Sequence, residues 1–157
     1  MEKLFLDELR EIYGAEKHQT VVLPLLKKAA ASLRLQNMLA NHLDATREQI
    51  GRLEEIFGML GKDPGARPPE AVLRISRKAE TVIETTEKGT AARDAGLVVA
   101  VQELEHYEIS SYGSLAQWCR TLEYDDILDI LEMTLLEEKE ADDLLTALTE
   151  NYIKPVL

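Results

Sequence analysis

The spacing of apolar residues constrains this chain more than any other feature. They recur every three or four positions almost from end to end, with little strand-like alternation, which predicts an all-α fold. Four long segments carry such a stripe. Residues 3–31 have Leu9, Ile12, Leu23 and Ala30, and residues 33–60 have Leu39, Leu43, Ile50, Leu53, Phe57 and Leu60. Residues 91–122 have Leu97, Val101, Leu104, Tyr112 and Leu115, and residues 125–152 have Leu128, Leu131, Leu135, Leu145 and Leu148. A shorter segment, 70–86, carries Val72, Ile75, Ala79, Val82 and Ile83. Helices of roughly 28 residues are about 40 Å long at 1.5 Å per residue, a length that suits a bundle. Pro24 lies inside the first segment and should kink it. The first and second segments are joined by almost nothing, as are the third and fourth, so each pair should form an antiparallel hairpin. The breaker KDPGARPP after Gly61 and the short helix fill a long crossover between the hairpins.

Composition narrows the surroundings. With 157 residues, 45% of them apolar, the chain has enough material for a core, and one domain over 1–157 is expected. A net charge of −11 argues against nucleic acid and anionic membrane surfaces as partners. No apolar run approaches the ~20 residues that span a bilayer, and MEKLFLDEL is too charged for a signal peptide. A cytoplasmic protein is the expectation. Cys119, the single cysteine, can build neither a disulfide framework nor a CxxC site, and it reads as a small core residue.

Several carboxylates fall on the apolar stripes. Each residue advances about 100° around a helix, so positions 3, 4 and 7 apart share a face. Glu16 lies between Ile12 and Leu23. Glu105 and Glu108 sit among Val101, Leu104 and Tyr112. Glu138 and Asp142 lie between Leu135 and Leu145. Glu103 falls about 160° from Glu105 and should be solvated. An acid near a stripe usually sits at its edge and reaches water. Five near the middle of three helices are a different matter, because unpaired buried carboxylates each cost several kcal/mol and repel one another. No Lys or Arg shares those stripes at that depth, and bound cations would supply the missing charge. Segment two offers His42 and Gln49 on the same side, with Thr46 between them. Asp44, His18 and His106 point elsewhere, towards surface or supporting roles. Tyr13, close to Glu16, and Tyr112, close to Glu105 and Glu108, are placed to donate hydrogen bonds to these carboxylates.

The stretches LFLDELREIYGAEK (4–17), HLDATREQIGRLEEIF (42–57), RDAGLVVAVQELEHYEISSYGSL (93–115) and LLEEKEADDLLTAL (135–148) make the chain similar to the YciE/YciF-type branch of the ferritin-like superfamily. The likeness covers nearly the whole chain. It implies a ferritin-like four-helix bundle with a long crossover, a dinuclear carboxylate site at mid-bundle and a role in bacterial stress. In the ferritin-like pattern two helices give one Glu each and two give Glu-x-x-His. Glu16 matches the single Glu of the first helix, Glu105 or Glu108 the third helix, and Glu138 the fourth. At these inward positions the histidines are missing. Glu108 stands three residues after Glu105, Ala141 stands three after Glu138, and segment two has Ala45 where an acid would help. A site rich in oxygen donors suits hard metal ions.

The expected metal set is therefore Glu16, His42, Glu105, Glu108, Glu138 and Asp142, holding two iron ions, with manganese as the other candidate. Iron there would support oxidation of Fe(II) by dioxygen or peroxide. A second function class is a non-catalytic structural bundle with a vestigial site, acting as a homodimer through Val98, Val99, Ile109 and Trp118. Metal analysis of protein purified without chelator separates the two.

Overall fold

A computed structural model describes residues 1–65 and 67–152, with side chains through residue 150. Residue 66, within KDPGARPP, and residues 153–157, the tail of the expected domain, lie outside the described residues. The described residues form five helices and no strand: α1 Glu2–Ala29, α2 Leu33–Leu60, α3 Glu70–Thr85, α4 Ala91–Leu122 and α5 Asp125–Tyr152. These are the expected segments, with ends shifted by no more than two residues. Local chemistry sets several ends. The Ser32 hydroxyl accepts from the Leu35 amide at 3.2 Å and that of Thr90 accepts from the Arg93 amide at 3.3 Å, so both act as N-caps. Gly61 closes α2 with a left-handed φ of 63°. Helix α1 runs unbroken through Pro24. That residue is exposed, so the carbonyl it deprives of a partner can be hydrated.

The topology follows from the contacts of the crossover. Helix α1 packs on α2, and α4 on α5; between the hairpins α1 faces α4 and α2 faces α5. The crossover climbs beside α1 in register with it. Arg10 Nε donates to the Asp63 carbonyl at 3.1 Å, the Arg67 backbone lies against Gly14, and His18 Nε2 lies 2.8 Å from Ser76 Oγ. At the far end the Asp94 carboxylate accepts from the amides of Ala31 at 2.6 Å and Ser32 at 2.8 Å, in the α1–α2 joint. Its neighbour Arg93 donates to the carbonyls of Ile83 at 2.7 Å and Thr86 at 2.6 Å, which satisfies the end of α3. The chain thus returns the length of the bundle before α4 begins, and α4 runs antiparallel to α1.

The apolar core is divided. Phe5, Leu9, Ile12, Leu53, Phe57, Leu115 and Leu131 fill one end. Leu23, Leu26, Leu35, Leu39, Leu97 and Leu145 fill the other. Val98, expected at a dimer interface, is 1% exposed in this second cluster, and Trp118 is partly buried against the first. Both are spent inside because α3 covers a further face of α4. Between the two apolar clusters lies a buried polar layer.

A candidate metal centre between the hairpins

Four helices contribute to that layer. Glu16 and Gln19 come from α1, Thr46 and Gln49 from α2, Glu105 and Glu108 from α4 and Glu138 from α5, all of them buried. His42 of α2 joins them, its side chain 9% exposed. One ligand atom from each of His42, Glu105, Glu108 and Glu138 lies within 4.8 Å of the other three. The helical spacing that places Glu105 and Glu108 on one face puts Glu103 on the other, where it pairs with Lys78 of α3.

The hydrogen bonds within the layer are few. Gln19 bridges two members of the cluster: its Nε2 donates to Glu108 Oε1, and its Oε1 lies 3.1 Å from His42 Nε2. The same His42 nitrogen is 2.9 Å from Glu105 Oε1. With two acceptors beside it, Nε2 is the protonated nitrogen of the metal-free ring. Tyr112 donates to Glu16 Oε1 at 2.7 Å. Glu16 Oε2, Glu108 Oε2 and both oxygens of Glu105 and Glu138 are buried without a hydrogen-bond partner.

Electrostatics follow from this crowding. Burial pushes the Glu16 carboxyl up to about 8, and the charge of Glu138 adds to the effect. Glu105 is raised to about 7, again chiefly by burial. Burial and the adjoining Glu105 raise Glu138 to about 9. Glu108 is driven well above the carboxylate range by burial, then by Glu16, Glu138 and Glu105. The neighbouring Glu137 behaves oppositely. Burial alone would raise it, but a two-pronged contact with Arg52, at 2.7 and 2.8 Å, and a 3.1 Å hydrogen bond from Gln49 outweigh that and lower it. The one nearby cation is therefore committed to Glu137 and leaves the cluster uncompensated.

The expected site residues separate into three groups. His42, Glu105, Glu108 and Glu138 converge. Glu16 adjoins them from α1, near enough for its charge to act on Glu138 and Glu108. Asp142 sits at the edge, 22% exposed, with His106 Nε2 at 3.0 Å from its Oδ1. It lies about 40° around α5 from Glu138, and its side chain is one carbon shorter. The Glu-x-x-His spacing does occur once in the chain, at Glu103 and His106, but both face outward, His106 at 63% exposed. Tyr13 donates to Glu54 at 2.9 Å rather than to Glu16, whose partner is Tyr112. His18 bonds to Ser76, away from the cluster. Sequence reasoning missed Gln19. Its signal was there, since Gln19 follows Glu16 by three and precedes Leu23 by four on the same stripe.

The donor set fits a metal ion. Carboxylate oxygens dominate it, with one imidazole, as hard or borderline cations prefer. The unpartnered oxygens are oriented into one volume, and a cation would relieve both their repulsion and their missing bonds. No helix among the described residues is long and apolar enough to cross a membrane.

Comparison with known proteins agrees with this architecture. The DUF892 family, described as a domain of unknown function, matches residues 1–155. Protein YciF of Escherichia coli K12 is 35% identical over 164 residues, covering 98% of this chain and 92% of that protein. The crystal structure of YciF, described as an E. coli stress protein, superposes with a TM-score of 0.92 over 98% of this chain and 97% of that one. The structure of YcfI from Rhodopseudomonas palustris, 39% identical, gives 0.88 over 93% of this chain and 92% of that one. A Xanthomonas campestris protein at 18% identity shares the fold, with a TM-score of 0.74 over 96% of this chain and 91% of that one.

Proposed function

The chain belongs to the DUF892 family, and on that footing we propose that it is a ferritin-like metal protein of the bacterial stress response, binding iron, with manganese as the alternative. His42, Glu105, Glu108 and Glu138 would be the direct ligands. Glu16 would complete a position for a second ion, and Asp142 would border it through His106. The observation that carries this reading is the set of buried carboxylate oxygens with no partner. A protein gains nothing by burying four glutamates at one depth unless something positive joins them. The stress role rests on likeness to YciF.

Iron, when bound, would supply one-electron redox chemistry, namely oxidation of Fe(II) by dioxygen or peroxide. The chain's own residues prepare the site. Gln19 fixes the rotamer of Glu108 and the orientation of the His42 ring. Tyr112 holds one oxygen of Glu16 and leaves the other free. The raised carboxyls must release protons before they can act as ligands, and His42 Nε2 must release its proton too. Two apolar clusters keep the layer dry, which strengthens every charge interaction within it. We also propose a homodimer, for which exposed Val21 and Leu25 on the outer face of α1 supply apolar surface.

The test is elemental analysis of protein purified without chelator and then loaded anaerobically with Fe(II), followed by diffraction at the iron absorption edge. The expected result is iron bound between α2, α4 and α5. Protein that takes up no metal, with a melting temperature indifferent to Fe(II), would overturn the proposal.

A further inference from the structure

Glu16, Glu105, Glu108 and Glu138 are 0% exposed. Of the residues assigned as direct ligands, His42 alone keeps accessible surface. That surface opens into a pocket of about 500 Å³ between α2 and α5. His42 and Ala45 line it from α2, and Ala141 from α5, with Asn41, Glu137 and Glu140 also on its walls. Ala45 and Ala141 are the positions where the ferritin-like pattern would place larger polar side chains. Here they are methyl groups, and the space they leave is what brings solvent to the imidazole. A second pocket, about 640 Å³, lies on another face, against α3 and α4, and includes Ser110 and Tyr107 but none of the converging residues.

We infer that the α2–α5 pocket is the passage by which divalent cations reach the buried site, with the small side chains of Ala45 and Ala141 setting its width. This rests on the metal reading above. The carboxylates of Glu137 and Glu140 give the walls the sign that attracts a cation. The carboxylates of the cluster then draw it inward past His42. Filling the pocket should therefore slow uptake and leave the bound state alone, because neither alanine is a ligand.

The experiment follows Co(II) uptake by stopped-flow absorbance, with equilibrium titration for stoichiometry and affinity. Ala141→Leu should bind at least tenfold more slowly than the parent with unchanged stoichiometry. A second variant removes any dependence on folding of the plugged protein. Asn41→Cys places a thiol at the exposed rim, while the native Cys119 is buried. Attaching a bulky maleimide to this folded variant should slow uptake at least tenfold against the same protein unlabelled. The same label on Ser110→Cys, at the other pocket, should leave the rate within twofold. Parent-like rates in both blocked proteins, with Co(II) still bound at equilibrium, overturn the passage and leave the metal site standing. Failure of the parent protein to bind Co(II) at all overturns both.

Discussion

Glu105 shows most sharply what burial does to a single side chain here. Its carboxyl is buried with neither oxygen hydrogen-bonded, and it titrates near 7. Above that pH the metal-free protein must hold a charge in an apolar surround. Glu105→Gln keeps the volume and removes that charge. At pH 8 the metal-free variant should be more stable than its parent by on the order of 1 kcal/mol, since one unit of pKa shift is worth about 1.4 kcal/mol. With metal present the order should reverse, because the variant lacks a ligand. Thermal melting of both proteins, with and without Fe(II), reads the crossing directly. Much of this site was legible at the residue scale. Glu105, Glu108 and Glu138 announced themselves by standing on apolar stripes, and Glu103 was assigned outward by the same arithmetic. What periodicity could not supply was reach. Asp142 shares the stripe yet falls short, and Tyr112 rather than Tyr13 meets Glu16, because both outcomes depend on side-chain length and on which helix lies opposite.

At the scale of elements, glycine separates positions that look alike in sequence. A Cβ on Gly14 would overlap the backbone carbonyl of Arg67, where the crossover crosses α1. A Cβ on Gly51, in α2, would meet nothing within 4 Å. Helix propensity alone favours alanine over glycine by about 1 kcal/mol at either site. Gly51→Ala should therefore stabilise the protein by roughly that amount. Gly14→Ala should destabilise it, because forcing backbone apart costs about 1–3 kcal/mol and outweighs the propensity gain. Urea midpoints of the two variants should move in opposite directions from the parent. Helix boundaries were readable from caps and breakers such as Ser32, Thr90 and Gly61. The path of the crossover was not, since Arg93 and Asp94 look like ordinary charges at the start of a helix. Only the fold brings them to the end of α3 and the α1–α2 joint.

For the whole molecule, the raised carboxyls tie stability to pH. Glu16, Glu105 and Glu138 titrate at about 8, 7 and 9 in the fold, against 4.5 as the ordinary value. The folded chain thus holds protons that the unfolded chain has released. Stability drawn from these groups is fully present below about pH 4.5 and is lost as pH rises through 7 to 9. The melting temperature of metal-free protein should fall from pH 6 to pH 9. Bound metal takes the place of those protons, so metal-loaded protein should lack that fall, and its affinity for metal should rise with pH. Calorimetry across that range with a chelator and with Fe(II) checks both slopes.

The divided core has a consequence for cooperativity. The two apolar clusters meet only across a layer that, without metal, contributes repulsion rather than attraction. Each end of the bundle is then a separate opening unit, joined by the continuous helices but not by packing through the middle. An ion held by α2, α4 and α5 makes the layer the strongest contact between the hairpins and fuses the units. Native-state hydrogen exchange of metal-free protein should show two sets of amides, around Leu53 and around Leu97, with different opening free energies. With metal bound the two sets should exchange together, at the free energy of global unfolding.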